Sequence, residues 1–374
     1  MRVGVPKEIK THEYRVGLTP ASVREVCAHG HEVIVERGAG LGAGVTDAEY
    51  GAVGARVVDT ADEVFAGADL IVKVKEPQAV ERKKLRPGQV LFTFLHLAAD
   101  PDQAQDLVAS GAIAIAYETV TSPQGTLPLL APMSEIAGRM SVHVGATCLE
   151  KPRGGRGVLL SGVPGVAPGK VVILGGGNVG SNAAYVATGL GAEVVVMDRS
   201  PEAMRRIAAQ FGARVKTVMA LAELVAEHVF AAHLVIGAVL VPGARAPRLV
   251  TREMLKRMKP GAVLVDVAID QGGCFETSRP TTHADPIYVV DGIVHYCVAN
   301  MPGGVPRTSA FALNNATLPY VLQLADHGWK AALAADPHLR NGLNVCEGRV
   351  THPQVAEALG YPYVDPRTLL GVSS

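Results

Sequence analysis

The sequence predicts an α/β fold made of two doubly wound parallel-sheet domains separated by a cleft. Three observations carry this expectation. Short apolar runs rich in valine and isoleucine alternate with helical patterns along most of the chain, the mark of parallel strands joined by helical crossovers. A glycine-rich turn, Gly175-Gly176-Gly177-Asn178-Val179-Gly180, sits near the middle of that alternation. The 374 residues also exceed what one hydrophobic core ordinarily serves.

Residues 2–6 read as the first strand. Thr19-Pro20 supplies an N-cap with proline at the first helical position, and Gly30 stops that helix. Further strands are expected over residues 31–36, 56–59, 70–75, 89–96 and 113–117, with a helix over 61–66. Ser122-Pro123-Gln124-Gly125 breaks the pattern. A long helix is expected over 132–149, and residues 151–168, rich in Gly, Pro and Arg, read as a loop. A second set of strands follows over 171–174, 194–198, 234–238, 263–267 and 287–298, the last turning as a hairpin at Asp291-Gly292. From residue 308 to 325 the pattern is helical again. The expected division is a domain of residues 128–304 and a discontinuous one of residues 1–127 and 305–374. Two chain crossings between domains suit hinge closure.

The glycine turn has all the context that gives such a motif meaning. The run Lys170-Val171-Val172-Ile173-Leu174 feeds into it, a helix follows, and a second apolar run ends on Asp198, 18 residues after Gly180. Gly175 permits the tight turn, Gly177 lets the backbone approach a pyrophosphate, and Gly180 lets the helix pack close to the strand. The helix N-terminus offers free N–H groups and a partial positive charge to phosphates. Asp198 stands where a carboxylate binds the adenosine ribose hydroxyls, and it favours NAD over NADP by repelling the extra phosphate. This is a Rossmann-like dinucleotide site; a plain glycine turn is the ordinary alternative.

Composition narrows the class. Basic and acidic residues balance at 35 each, so nothing suggests a nucleic-acid or anionic-membrane surface. The five cysteines form neither a C-x-x-C pair nor a zinc pattern, which fits reduced thiols in the cytoplasm. The N-terminus carries charges where a signal peptide needs an apolar core, and no apolar stretch reaches membrane-spanning length. No ligand cluster points to a metal.

Open α/β sheets bind ligands beyond the carboxyl ends of their strands. Arg15 lies in the loop after the first expected strand, while Lys75, His96 and Asp270 close later strand-like runs. Each has an ordinary explanation: a surface charge for Arg15, a solvated strand face for Lys73-Val74-Lys75-Glu76, a core histidine for His96, a turn aspartate for Asp270. Their joint position is what nominates them. Together they are the parts for a carboxylate-bearing substrate and proton transfer.

These residues belong to motifs that resemble one family. Val5-Pro6-Lys7-Glu8 with Tyr14-Arg15-Val16, then Val74-Lys75-Glu76-Pro77 and Phe94-Leu95-His96-Leu97-Ala98, are similar to motifs of the alanine dehydrogenase and pyridine-nucleotide transhydrogenase family. So are the glycine fingerprint, Val267-Ala268-Ile269-Asp270-Gln271-Gly272-Gly273 and Asn300-Met301-Pro302-Gly303-Gly304-Val305-Pro306-Arg307-Thr308. The match is collinear over nearly the whole chain. The resemblance implies reversible oxidative deamination of L-alanine to pyruvate and ammonium with NAD, in a homohexamer. It implies that Arg15 and Lys75 hold the substrate and that His96 and Asp270 are the catalytic pair. Ser134, Asn178, Val179, Asp198, Val239, Leu240, Val267, Asp270, Arg279, Val298, Asn300 and Met301 fall at its NAD contacts. Two positions depart from the pattern: Ala203 stands where many members carry a basic residue near the ribose, and Ala220 where many carry serine by the adenine. A transhydrogenase-type NAD-binding subunit and a non-catalytic NAD-sensing module are the competing readings, and the intact Lys75, His96 and Asp270 set argues against both.

Overall fold

The computed structural model describes residues 1–239 and 246–372. Leu240 lies outside the described residues. The chain forms two compact units, Met1–Met133 with Gly303–Ser374, and Ser134–Pro302.

The first unit is built on β1 (Arg2–Val5), β2 (Glu32–Glu36), β3 (Arg56–Val58), β4 (Leu70–Val72), β5 (Val90–Thr93) and β6 (Ile113–Ala116). The second begins with β7 (Lys170–Leu174), β8 (Glu193–Asp198), β9 (Val215–Met219), β10 (Leu234–Gly237) and β11 (Val263–Asp266), and ends with the hairpin β12 (Ile287–Val290) and β13 (Ile293–Tyr296). The chain then adds β14 (Leu343–Cys346) and β15 (Arg349–Val350) to the first unit. The two sheets run β15-β14-β6-β5-β4-β1-β2-β3 and β12-β13-β11-β10-β7-β8-β9. Apart from β12, β14 and β15, which pair antiparallel, neighbouring strands are parallel.

Each sheet therefore reverses its order once among its parallel strands, between β1 and β4 in the first and between β7 and β10 in the second. A crevice opens at such a reversal because the crossovers on either side leave in opposite directions. Both faces of the second sheet are apolar. Val171, Ile173, Val194, Val196, Leu234 and Ile236 pack on one side, and Val172, Leu174, Val195, Met197, Val235 and Leu264 on the other. Strand alternation delivers successive side chains to opposite faces, and helices cover both. The helix Ala131–Cys148 packs so closely that a Cβ on Gly138 would lie 2.2 Å from the Val179 carbonyl oxygen.

Local signals start the helices. Thr46 with Glu49 and Thr60 with Glu63 form capping boxes, each hydroxyl accepting the N–H three residues on while the glutamate accepts the cap N–H. The helix Pro20–Ala28 starts after Thr19 as expected, but the Thr19 side chain makes no capping hydrogen bond, and its own N–H donates to Asn314 Oδ1 at 2.7 Å. The strand-like runs end earlier than their composition suggests. β4 stops at Val72, where the chain at Gly17 lies so close that a Cβ there would meet the Val72 carbonyl oxygen at 2.3 Å. β5 stops at Thr93 and β11 at Asp266. Lys75, His96 and Asp270 thus sit in the segments just past strand ends rather than on the strands. β9, β14 and β15 were not expected from the sequence.

Candidate active site

Three loops of the first unit carry three of the residues singled out from the sequence. Arg15 follows β1 and Lys75 follows β4, the two strands flanking the order reversal, and His96 follows the adjacent β5.

Arg15 is no surface charge: it is 2% exposed. Glu13 grips one edge of its guanidinium, Oε1 accepting from Nε at 2.7 Å and Oε2 from Nη2 at 2.5 Å. Nη1 reaches Met133 Sδ at 2.9 Å. A bidentate pair of this kind fixes the plane of the guanidinium as well as its charge.

The segment before Lys75 is not a solvated face either. Lys73 is fully buried, its Nζ 2.9 Å from Glu8 Oε2 and 2.8 Å from Glu81 Oε1. Burial works against the Lys73 ammonium, but the charges of Glu8 and Glu81 more than offset it and hold its pKa above the ordinary value. Burial pushes the Glu8 carboxyl up, partly countered by Lys73. Glu8 Oε1 accepts the backbone N–H of Val74 at 2.6 Å and of Lys75 at 3.3 Å. One buried carboxylate thus anchors the backbone that presents Lys75.

His96 has a left-handed backbone, φ 50° and ψ 39°. For a residue other than glycine that geometry costs roughly 1–2 kcal/mol and needs outside support. Glu118, just past β6, gives it: Oε1 accepts the His96 N–H at 2.6 Å, and the carboxylate also takes the Leu95 N–H. The exposed imidazole stacks parallel to the Phe94 ring at 5.8 Å.

The second unit holds the glycine fingerprint. Gly175 has φ 111°, and a Cβ there would meet the Ala238 carbonyl oxygen at 2.6 Å. At Gly180 a Cβ would lie 1.8 Å from the Gly175 carbonyl oxygen, so helix Asn178–Gly189 can seat only on glycine. Gly177 differs: nothing in the protein lies within 4 Å of its would-be Cβ, and its φ of −77° suits any residue. Its lack of a side chain answers no demand of the fold and leaves open space over the helix N-terminus. Asp198, at the end of β8, accepts the Gly176 N–H on Oδ2 at 2.6 Å and the Ser200 N–H on Oδ1 at 2.7 Å.

Of the remaining nominated positions, Val239, Val267, Val298, Asn300 and Met301 follow the carboxyl ends of strands of the same sheet. Val239 follows β10, and Val267 follows β11 with its N–H on the Gly237 carbonyl at 3.0 Å. Asp270 is exposed on a short 3-10 turn, Ile269–Gln271. The Arg279 guanidinium lies over the Tyr288 ring at 4.0 Å. Val298 is buried, Asn300 has φ 61°, and Met301 opens the turn Met301–Gly304. Ser134 is half-buried in the helix Ala131–Cys148, and Ala203 is buried beside the glycine turn. Asp270 belongs to the second unit and the other three nominated groups to the first.

Sequence reasoning missed Glu8, Glu13, Lys73 and Glu118. Lys73 lies just past an apolar strand run and Glu8 and Glu118 a few residues beyond one, a pattern that also marks ordinary surface charges, and Glu13 carries no such mark.

The profile of the alanine dehydrogenase/PNT N-terminal domain matches residues 4–137, and that of the C-terminal domain residues 141–353. The chain belongs to the alanine dehydrogenase/PNT family. Within that family it is 59% identical to the alanine dehydrogenase of Halomonas elongata, over 99% of this chain and 100% of that one. It is 54% identical to the alanine dehydrogenase of Bacillus subtilis, over 97% and 96% of the two chains. A solved L-alanine dehydrogenase superposes with a TM-score of 0.94 at 52% identity, covering 96% of this chain and 99% of that one. A transhydrogenase from Sinorhizobium meliloti superposes with a TM-score of 0.81 at 28% identity, over 94% and 99% of the two chains. Identity thus favours the alanine dehydrogenase branch of the alanine dehydrogenase/PNT family over the transhydrogenase branch. Among the described residues no helix is long and apolar enough to cross a membrane.

Proposed function

We propose that this chain is an NAD-dependent alanine dehydrogenase, catalysing the reversible oxidative deamination of L-alanine to pyruvate and ammonia. The observation that carries the reading is the set Arg15, Lys75 and His96 on three loops around the β1/β4 reversal, in a chain of this family. Residues 1–127 and 305–374 supply the substrate and catalytic groups, and residues 128–304 bind NAD.

Arg15, oriented by Glu13, holds the substrate carboxylate. Lys75 polarises the oxygen of pyruvate or of the carbinolamine. Bound NAD supplies the hydride acceptor for the α-hydrogen of alanine. His96 takes a proton from the water that attacks the iminium carbon and gives one to the departing ammonia; one imidazole can act as base and as acid and so serves both directions. Asp270 orients the attacking water or the nicotinamide ribose. The assembly is a homohexamer in the cytoplasm, on the strength of the sequence resemblance.

The open space at Gly177 and the lack of a side-chain cap on helix Asn178–Gly189 fit a pyrophosphate, and Asp198 fits the ribose hydroxyls. Two glycine variants test that fit. G180A should lose about 1–3 kcal/mol or more of stability, because its methyl has nowhere to go. G177A should melt like the parent yet bind NADH about tenfold more weakly, a cost of about 1.4 kcal/mol. Unaltered NADH binding by G177A in a titration of nucleotide fluorescence would show that the space is not used. D198A should raise KM for NAD by about 10–100-fold, from hydrogen bonds to a charge worth about 1.5–3 kcal/mol, and should barely change KM for alanine. Equal changes in both constants would move Asp198 out of the ribose site.

The activity itself is tested by incubating the chain with L-alanine and NAD. Pyruvate and ammonia should appear one for one, and neither should form from D-alanine. Nucleotide binding without product would favour a sensing role.

A further inference from the structure

β11 ends on a charge that the strand has no packing reason to carry. Val263, Leu264, Val265 and Asp266 are all fully buried. Four donors converge on the Asp266 carboxylate. Oδ1 accepts the Ala268 N–H at 3.1 Å; Oδ2 accepts the Cys274 N–H at 2.8 Å, the Phe275 N–H at 3.4 Å and the Ser278 hydroxyl at 2.5 Å. Burial raises the pKa of this carboxyl, and the four hydrogen bonds oppose the rise. The surroundings are cut to its shape: a Cβ on Gly273 would fall 2.7 Å from Oδ2, and one on Gly237 3.2 Å from Oδ1.

The donors are spread from residue 268 to residue 278, so one side chain ties down the whole segment. Asp270 stands exposed on that segment, between the Ala268 and Cys274 anchors. Arg279 follows the Ser278 anchor directly, and its backbone N–H donates to Tyr288 Oη at 2.9 Å. A buried carboxylate is a costly way to hold a loop, since an unmet charge or hydrogen bond in the interior is penalised heavily. What it provides is several fixed backbone anchors at one point, which apolar packing does not.

We propose that Asp266 is a positioning residue for the reaction: by gathering the N–H groups of residues 268, 274 and 275 and the Ser278 hydroxyl, it sets the placement of Asp270 and Arg279. The proposal rests on the roles given to those two residues above. It makes Asp266 act through Asp270 rather than on the substrate.

The test is a double-mutant cycle on the intact enzyme. D266N keeps the shape but turns one acceptor oxygen into a donor facing N–H or O–H groups. D266N should lower kcat at least tenfold. In a D270N background the same change should cost less than about twofold, because the group it positions is already gone. S278A removes one anchor with a milder effect on folding; it should lower kcat severalfold with an unchanged Tm and show the same loss of effect beside D270N. Parent-like kcat in both D266N and S278A would overturn the proposal. So would full multiplication of either factor with that of D270N, even where D270N alone is impaired. If D270N alone is fully active, the assignment of Asp270 fails, and the proposal falls with it.

Discussion

Replacing His96 should reduce kcat by about 10²–10⁴, the usual contribution of a positioned general acid and base, while NADH binding stays near normal. Asparagine is the better replacement than alanine. The backbone here has φ 50° and ψ 39°, which asparagine adopts readily and alanine does not. H96N thereby keeps the hydrogen bonds from the backbone N–H groups of residues 95 and 96 to Glu118 and removes only the imidazole ring. The loss should fall on kcat in both directions, since the same group takes a proton from water in deamination and returns it in amination. Stopped-flow NADH binding measured beside steady-state turnover separates the two effects. An H96N enzyme retaining more than about a tenth of its turnover would remove His96 from the proton-transfer step.

The largest loss of stability should come from a residue that touches no substrate. Lys73 lies between Glu8 and Glu81, all three almost fully buried, with contacts of 2.9 and 2.8 Å. Removing one member of such a group leaves uncompensated charge in the interior, so K73M should lose about 3–5 kcal/mol. The pH dependence has a definite sign. In K73M the Glu8 carboxyl loses the positive partner that opposed its burial, so its folded pKa stays raised above the unfolded one. A carboxyl raised in this way contributes stability below its unfolded pKa and loses it as pH climbs through the folded value. K73M should therefore recover part of its deficit as pH falls from the raised folded value toward the ordinary glutamate range, and gain nothing further below it. The triple variant K73M/E8Q/E81Q should regain much of it at neutral pH, because no buried charge remains. Denaturant unfolding checks both statements, and a K73M protein within about 1 kcal/mol of the parent would contradict the charge assignment. Turnover should fall as well, since Glu8 also anchors the Val74 and Lys75 backbone.

The parts of the fold legible in the sequence are those with local causes. The β7 run, the glycine turn and the acid at the end of β8 lie within 30 residues, and their spacing has one structural meaning. The helix Ala61–Gly67 and the β12–β13 hairpin at Asp291-Gly292 carry their instructions in adjacent residues. What escaped depends on distant partners. β14 is a strand because it pairs antiparallel with β6, more than 200 residues earlier. β9 is half-exposed at a sheet edge, and its Val-Lys-Thr-Val-Met run carries little apolar alternation.

The site divides the same way. A place at or after a strand end could be read for Arg15, Lys75, His96 and Asp270, because the end of an apolar run is a property of the sequence; that the last three lie past the strands rather than on them could not. The carboxylates that hold those loops could not. Glu118 meets His96 across 22 residues and Glu8 meets Val74 across 66, and a charged residue beside an apolar run looks like surface until its partner is seen.

The most direct measurement mixes the protein with NADH, pyruvate and ammonium and follows the loss of reduced-nicotinamide absorbance. An alanine dehydrogenase should consume NADH only when all three are present, form L-alanine in equal amount, and lose this activity in H96N. Tight NADH binding with no absorbance change in the complete mixture would contradict the account.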